Sequence, residues 1–179
     1  MAYDALGESR RLLADGPPDT PFRLTRRRRF LPVACDVDGD VAATLFVRRG
    51  VSGNPWLELW ALRFVEGEWT LLGGGAGDHY EDLFEPRLDQ EALGGLARPY
   101  GTTSSRIDPG RMVPWGAKFA HHATIRLAAG VETLAVADRR IRVAGHGVAV
   151  VTWRARRPPV VRALDVEGRS LGEVALSGD

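Results

Sequence analysis

Apolar and polar residues alternate with a period of two along much of this chain, the signature of strands with one buried face. "CDVDGDVAATLFV" (35–47) sets two apolar runs around Asp38-Gly39. "WLELWALRFVEGEWTLL" (56–72) repeats the device around Glu66-Gly67. Glycine accepts the positive φ of a two-residue turn, so each stretch predicts a hairpin. The second hairpin places Val65 opposite Glu68, Phe64 opposite Trp69 and Leu62 opposite Leu71. With Trp56 and Trp60 on the same side, it presents one aromatic-rich face, which its register with Leu62 and Leu71 predicts to be core. Only the start of the chain reads differently. Residues 4–14 fit a short helix, stopped by "GPPDTP", where Pro17 and Pro18 cannot continue it.

The C-terminal part is the most regular. "ATIRLAAG", "VETLAVAD", "RRIRVAGHG", "VAVVTWRARR", "PPVVRALDVEG" and "RSLGEVAL" form six β-patterned segments punctuated by Asp, Gly and Pro. "RRIRV" alternates Arg140 and Arg142 with Ile141 and Val143, a half-buried strand. "VAVVTW" is apolar on both faces and should be central. Residues 117–179 resemble the closing strands of an immunoglobulin-like β-sandwich, with "ALDVEGRSLGEV" as the last hairpin. The resemblance is one of architecture and carries no motif that transfers an activity. It implies a mainly-β, antiparallel β-sandwich with a short N-terminal helix. We read residues 1–179 as a single β-rich domain, because a unit of about 50 residues buries little surface. A first strand set spans 20–73 and a second 117–179. Between them, 74–116 reads as a long, irregular, acidic excursion rich in Gly and Pro.

Composition narrows the partners. Lys and Arg number 24 against 23 acids, so net charge gives no footprint for nucleic acid or membrane. The charge is uneven, however. Residues 1–73 hold ten acids and ten bases, 74–110 seven acids and three bases (net −4), and 111–179 six acids and eleven bases (net +5). All but one of the cations are arginine, Lys118 being the exception, a skew that reads as the coding bias of a GC-rich genome. The single Cys35 excludes an internal disulfide and a zinc site built on two thiolates. The first residues lack the apolar centre of a secretory signal, and nothing approaches a membrane span of about 20 apolar residues. These features fit a cytoplasmic protein.

"LLGGGAGDHYEDLFEPR" (71–87) looks like a phosphate cradle, but the lysine of a P-loop is missing and Asp78 stands where a dinucleotide fingerprint needs glycine. It reads as a strand exit. Asp78, Glu81 and Asp82 share one face of a helical turn with His79 beside them, an oxygen-rich set for a hard cation. "DVDGD" (36–40) suggests a calcium loop, but position 12 is Val47 rather than Glu. Strand alternation sends His121 to the apolar side and His122, with Thr124 and Arg126, to the solvent side. His146, between two glycines, reads as a turn residue. "GRSLG" (168–172) matches a serine-hydrolase motif, but no His follows it. Alternation splits "RRRRF" (26–30) between two faces, which suits an edge strand better than a nucleic-acid surface.

The reading that results is a non-catalytic intracellular binding protein. Its contact residues are drawn from Trp56, Trp60 and Trp69 and from the basic set Arg140, Arg142, Arg154 and Arg156. A protein partner or self-association, with acidic excursion facing basic surface, is the expected mode; nucleic acid and membrane are disfavoured. No cofactor is expected. The alternative is a metal-dependent enzyme in which Asp78, Glu81 and Asp82, with His79 nearby, hold a divalent cation. A third reading is carbohydrate binding by stacking on the tryptophans.

Overall fold

The structure, a computed structural model, describes residues 4–18, 24–25, 29–50, 53–77, 84–108 and 116–177. Among the described residues the chain is mainly β, with 52% in strands against 11% in helix. Helix α1 (Ala5–Asp15) starts at Asp4, whose carboxylate accepts from the Gly7 amide, and stops at Gly16 (φ 76) before the two prolines. Strands β1 (Phe30–Asp38), β2 (Val41–Arg49), β3 (Pro55–Val65) and β4 (Glu68–Ala76) form a four-stranded antiparallel meander. The Glu66-Gly67 turn has positive φ at both residues (52 and 88), and the pairings Val65–Glu68, Phe64–Trp69 and Leu62–Leu71 are those predicted. In the β1–β2 hairpin the tip is Gly39-Asp40, since Asp38 pairs with Val41.

The described residues of 74–116 are more regular than the excursion the sequence suggested. Strand β4 runs through the glycines to Ala76, a one-turn helix α2 (Gln90–Leu93) follows, and Ala97–Arg106 form a ten-residue strand, β5. Strand β5 pairs with β6 (Phe119–Leu127), which pairs with β9 (Val148–Trp153). A third antiparallel sheet has the order β11-β10-β7-β8, from β7 (Thr133–Val136), β8 (Arg139–Arg142), β10 (Val161–Leu164) and β11 (Ser170–Glu173). Each of the six C-terminal segments thus contains one strand. Prolines 32 and 99 both lie at register shifts, where a missing amide costs no ladder bond.

Strands β6 and β9 are covered on both sides. One face gives Ala123, Ile125, Leu127, Ala149, Val151 and Trp153 to a core shared with β7, β8 and β10. The opposite face gives Val148 and Val150 to a core with Val33, Ala43, Leu45, Val47 and Leu57 of the meander. Every residue of β9 is buried, as its two-sided apolar pattern requires. Among the described residues β9 nevertheless ends its ladder, and side chains of β1 satisfy part of its open edge. Asp36 accepts from the Thr152 amide at 2.7 Å and Asp38 from the Arg154 amide at 3.1 Å. Arg139 locks this seam, donating to both oxygens of Asp36 at 3.0 and 2.9 Å and to the Thr152 carbonyl.

Candidate functional site

The glycine run forms the wall of a cleft. Gly74 pairs with Trp60, and a Cβ there would overlap the indole, so glycine lets the backbone lie on the ring. Gly73 and Gly75 pair with Ala61 and Leu59 on the opposite, inward face, and a Cβ at either would meet nothing within 4 Å. Two consecutive inward positions therefore carry no side chain. The space they leave is a cleft of about 520 Å³ between β4 and β5. Leu45, Leu57 and Leu59 line its apolar part, while Tyr100, Thr103, Ser105 and Thr124 add hydroxyl groups. A register shift between Ala61 and Leu62 lets Leu72 also line the cleft, beside Val41, Ile107 and Ala120. Within the described residues β4 has ladder partners only in β3, and β5 only in β6, so both strands turn backbone donors and acceptors toward the gap.

The polar side of β6 is not the solvent side expected. His122 is 1% exposed and Arg126 fully buried, because this face turns toward the meander. The His122 ring lies 3.2 Å from the Thr152 hydroxyl through Nδ1, and its buried Nε2 has no hydrogen-bond partner among the described residues. Burial, helped by the His121 charge, lowers it to about 4. Arg126 donates to the carbonyls of Glu85 and Pro86 at 2.9 and 3.2 Å. Next to it, Arg87 donates to the Ala128 and Val131 carbonyls and pairs with Glu132. Two arginines thus fasten segment 84–88 to the C-terminal half. His146 does more than occupy a turn. Its Nδ1 accepts from the Val148 amide, so Nε2 carries the proton and donates to Val33 at 3.1 Å. Burial lowers this ring too, to about 4.

The predicted contact residues do not converge on the cleft. Trp56, Trp60 and Trp69 belong to the outer face of the meander. The prediction that this face is core fails in part: Leu62 is buried, but Trp56 is 39% and Phe64 44% exposed. Helix α1 covers the middle of the face with Leu12 and a Ser9–Thr44 hydroxyl contact of 2.7 Å, and leaves its ends open. Trp69 meets Phe64 edge-on at 5.1 Å. Arg140 and Arg142 are exposed on β8, and Arg156 is exposed after β9. Arg154 pairs with Asp40, which also pairs with Arg63 at 3.4 Å. The acids that meet the C-terminal arginines Arg139 and Arg154 thus come from 36–40 rather than from the acidic middle. His121 is half-buried, stacked on Trp153 at 5.5 Å, with Nδ1 2.7 Å from the Ser104 hydroxyl. Asp78, His79, Glu81 and Asp82 lie outside the described residues, as do Arg26, Arg27 and Arg28. Among the described residues no group of three or more His, Cys, Asp and Glu is placed to hold a metal ion. Ser170 of "GRSLG" is an exposed residue of β11. No described helix is long and apolar enough to cross a membrane.

The cleft itself was missed in the sequence, although one signal for it was there: a strand whose alternate positions are glycine has no inward side chains. The chain matches no family model, no curated protein and no solved structure.

Proposed function

We propose that this chain is a non-catalytic, cytoplasmic binding protein on a single β-sandwich-like domain, and that its ligand occupies the cleft between β4 and β5. One observation carries the reading: Gly73 and Gly75 leave open, above Leu45, Leu57 and Leu59, a volume of about 520 Å³ that ordinary strand residues would fill. Cavities of about 300–1,000 Å³ with apolar walls and few polar groups are the usual form of a small-molecule site. The ligand suited to it has an apolar body against the leucines. A polar end would be met by Thr103, Ser105 or Thr124 and by strand-edge backbone groups.

The test is to fill the space. Neither Gly73 nor Gly75 has the positive φ that would strain a side chain, so Gly75→Leu should fold. Replacing a strand glycine adds at most about 1 kcal/mol of stability. Fluorescence titration with the apolar dye anilinonaphthalene sulfonate should show saturable binding to the parent and at least tenfold weaker binding to Gly75→Leu. Trp56→Ala, which alters the outer aromatic face, should leave the titration unchanged. Equal dye binding by the parent and Gly75→Leu would remove the cleft from consideration.

A second reading has its own observation. The facing edges of β4 and β5 each lack a ladder partner among the described residues, so an extended segment of a protein partner could add as a strand. A partner held this way would protect amides of 73–77 and 100–106 from hydrogen exchange; a small ligand would protect only the side it touches.

A further inference from the structure

A second cavity, of about 760 Å³, shares no lining residue with the β4/β5 cleft. It lies where the β1–β2 tip, the start of β6 and the end of β9 come together, and its walls include Asp38, Lys118, Phe119, His121, Arg154 and Arg156. Phe119 and His121 are two residues apart on β6 and so share a face. Their ring centroids are 6.5 Å apart, and His121 in turn stacks on Trp153. The Ser104 hydroxyl at 2.7 Å from Nδ1 orients the imidazole, and Phe119 is 41% exposed. Phe119, His121 and Trp153 thus form a row of rings in which His121 is held in place and the Phe119 end is open to a ligand.

The cavity lining holds three cations, Lys118, Arg154 and Arg156, against the carboxylate of Asp38, and the Asp108 carboxylate at the Lys118 amide is paired with Arg106. The carboxylate of Asp38 is offset by Arg139 and by the Arg154 amide, and Arg154 itself is paired with Asp40. Lys118 and Arg156 are exposed and form no ion pair among the described residues. Two uncommitted cations thus flank an aromatic platform.

We propose that this cavity binds a mononucleotide, its base stacked on Phe119 and His121 and its phosphate held between Lys118 and Arg156. Each half of the ligand answers to an observed half of the site. A base gains affinity by stacking on an aromatic side chain whatever its identity, and phosphate is the anion that lysine and arginine recognise through charge-assisted hydrogen bonds. The assignment is independent of the ligand proposed for the β4/β5 cleft.

Isothermal titration of the full chain with AMP, adenosine and inorganic phosphate, at low and high salt, tests it. AMP should bind at least tenfold more tightly than adenosine or phosphate, and more weakly at high salt. A Lys118→Ala/Arg156→Ala variant should lose at least tenfold for AMP and leave adenosine unchanged. Phe119→Ala should lose several-fold, and Phe119→Tyr should restore it. These are exposed positions, so urea denaturation should show parent-like folding. Gly75→Leu should bind AMP as the parent does, which separates failure here from failure of the cleft. No AMP binding, or AMP no tighter than phosphate, would overturn the proposal. A short single-stranded oligonucleotide binding more than tenfold tighter than AMP would overturn it in favour of a nucleic-acid strand.

Discussion

Arg139 is the side chain whose loss should cost the fold most for its exposure. Its guanidinium grips both oxygens of Asp36, reaches Asp38 at 3.4 Å and donates to the Thr152 carbonyl. Asp36 has a side chain only 4% exposed, against 21% for Arg139. Burial already pushes the Asp36 carboxyl above its usual range, against the lowering pull of Arg139 and of the Thr152 amide. Arg139→Met therefore leaves a desolvated carboxylate without its cation, a defect that costs about 3–5 kcal/mol. Asp36→Asn leaves the charge on the better-solvated partner, which keeps Asp38 and the Thr152 carbonyl, and should cost about 1–3 kcal/mol. For a chain of this length, 3–5 kcal/mol lowers Tm by roughly 10 °C. Urea denaturation of both single variants and the double variant, at pH 7 and at pH 5, measures these terms and their coupling. In Arg139→Met the Asp36 pKa rises further above its unfolded value. The folded variant then binds more protons than the unfolded chain as pH falls, and the gap to the parent should narrow toward pH 5. A loss below about 1 kcal/mol in Arg139→Met, or a larger loss in Asp36→Asn, would refute the claim that this pair closes the seam between β1 and β9.

Three further outcomes follow from single residues. His122 is held at about 4 in the fold against 6.5 unfolded, so its contribution is complete above pH 6.5 and drains as pH falls toward 4; the difference is about 3 kcal/mol. Between pH 7 and pH 4, His122→Gln should lose about 3 kcal/mol less stability in urea than the parent, and parallel pH profiles would exclude the buried neutral ring. Ala137 has φ 52 at the β7–β8 tip, a left-handed conformation costing an alanine about 1–2 kcal/mol, so Ala137→Gly should raise stability by about 0.5–1 kcal/mol after glycine's entropy loss; destabilisation would contradict that geometry. The Cys35 thiol is pushed up to about 11 by burial and by Asp36, so a disulfide reagent at pH 8 should modify the native protein at least tenfold more slowly than the urea-unfolded chain, and equal rates would show it open to solvent.

What could be read in advance is what local chemistry decides. The Glu66-Gly67 turn requires only two residues of positive φ, and with the tip placed, the pairs Phe64–Trp69 and Leu62–Leu71 follow. Strand β5 lacked any such cue. It is an edge strand with Thr102, Thr103 and Ser104 exposed on both of its faces, and the shift between Pro99 and Gly101 breaks its alternation. The glycines of β4 were misread for a related reason, since a residue without a side chain gives no period-two signal even when its backbone is laddered. His122, Thr124 and Arg126 were misassigned because a polar face looks the same from the sequence whether water or a second layer covers it. Arg126 tolerates full burial because it reaches the Glu85 and Pro86 carbonyls, some 40 residues away in the chain. The candidate cavities were hidden by the same non-local facts: one needs β5, and the other needs the ends of β1, β6 and β9 brought together.

The position of the β4/β5 cleft follows from how the sheets share strands. Strand β9 is buried on both faces and β6 over most of its length, so the centre of the molecule gives a ligand little surface beyond Thr124 and the Phe119–His121 end of β6. The meander lies against these strands through β1 and β2, and Asp36, Asp38 and Arg139 lock that side. What remains is the opposite side, where β4 leaves the core behind and β5 begins a new ladder. A full set of inward side chains on β4 would close the gap by packing on Leu57 and Leu59. Glycine at 73 and 75 withholds those groups while the ladder to β3 continues through Ala76, so the backbone stays ordered and the volume stays empty. An apolar recess with an ordered wall is a poor way to gain stability, because each unfilled contact forfeits burial of about 25 cal/mol per Å². It is a reasonable way to hold a ligand that supplies the missing surface, and the two inward glycines are the positions at which that exchange can be switched off by a single side chain.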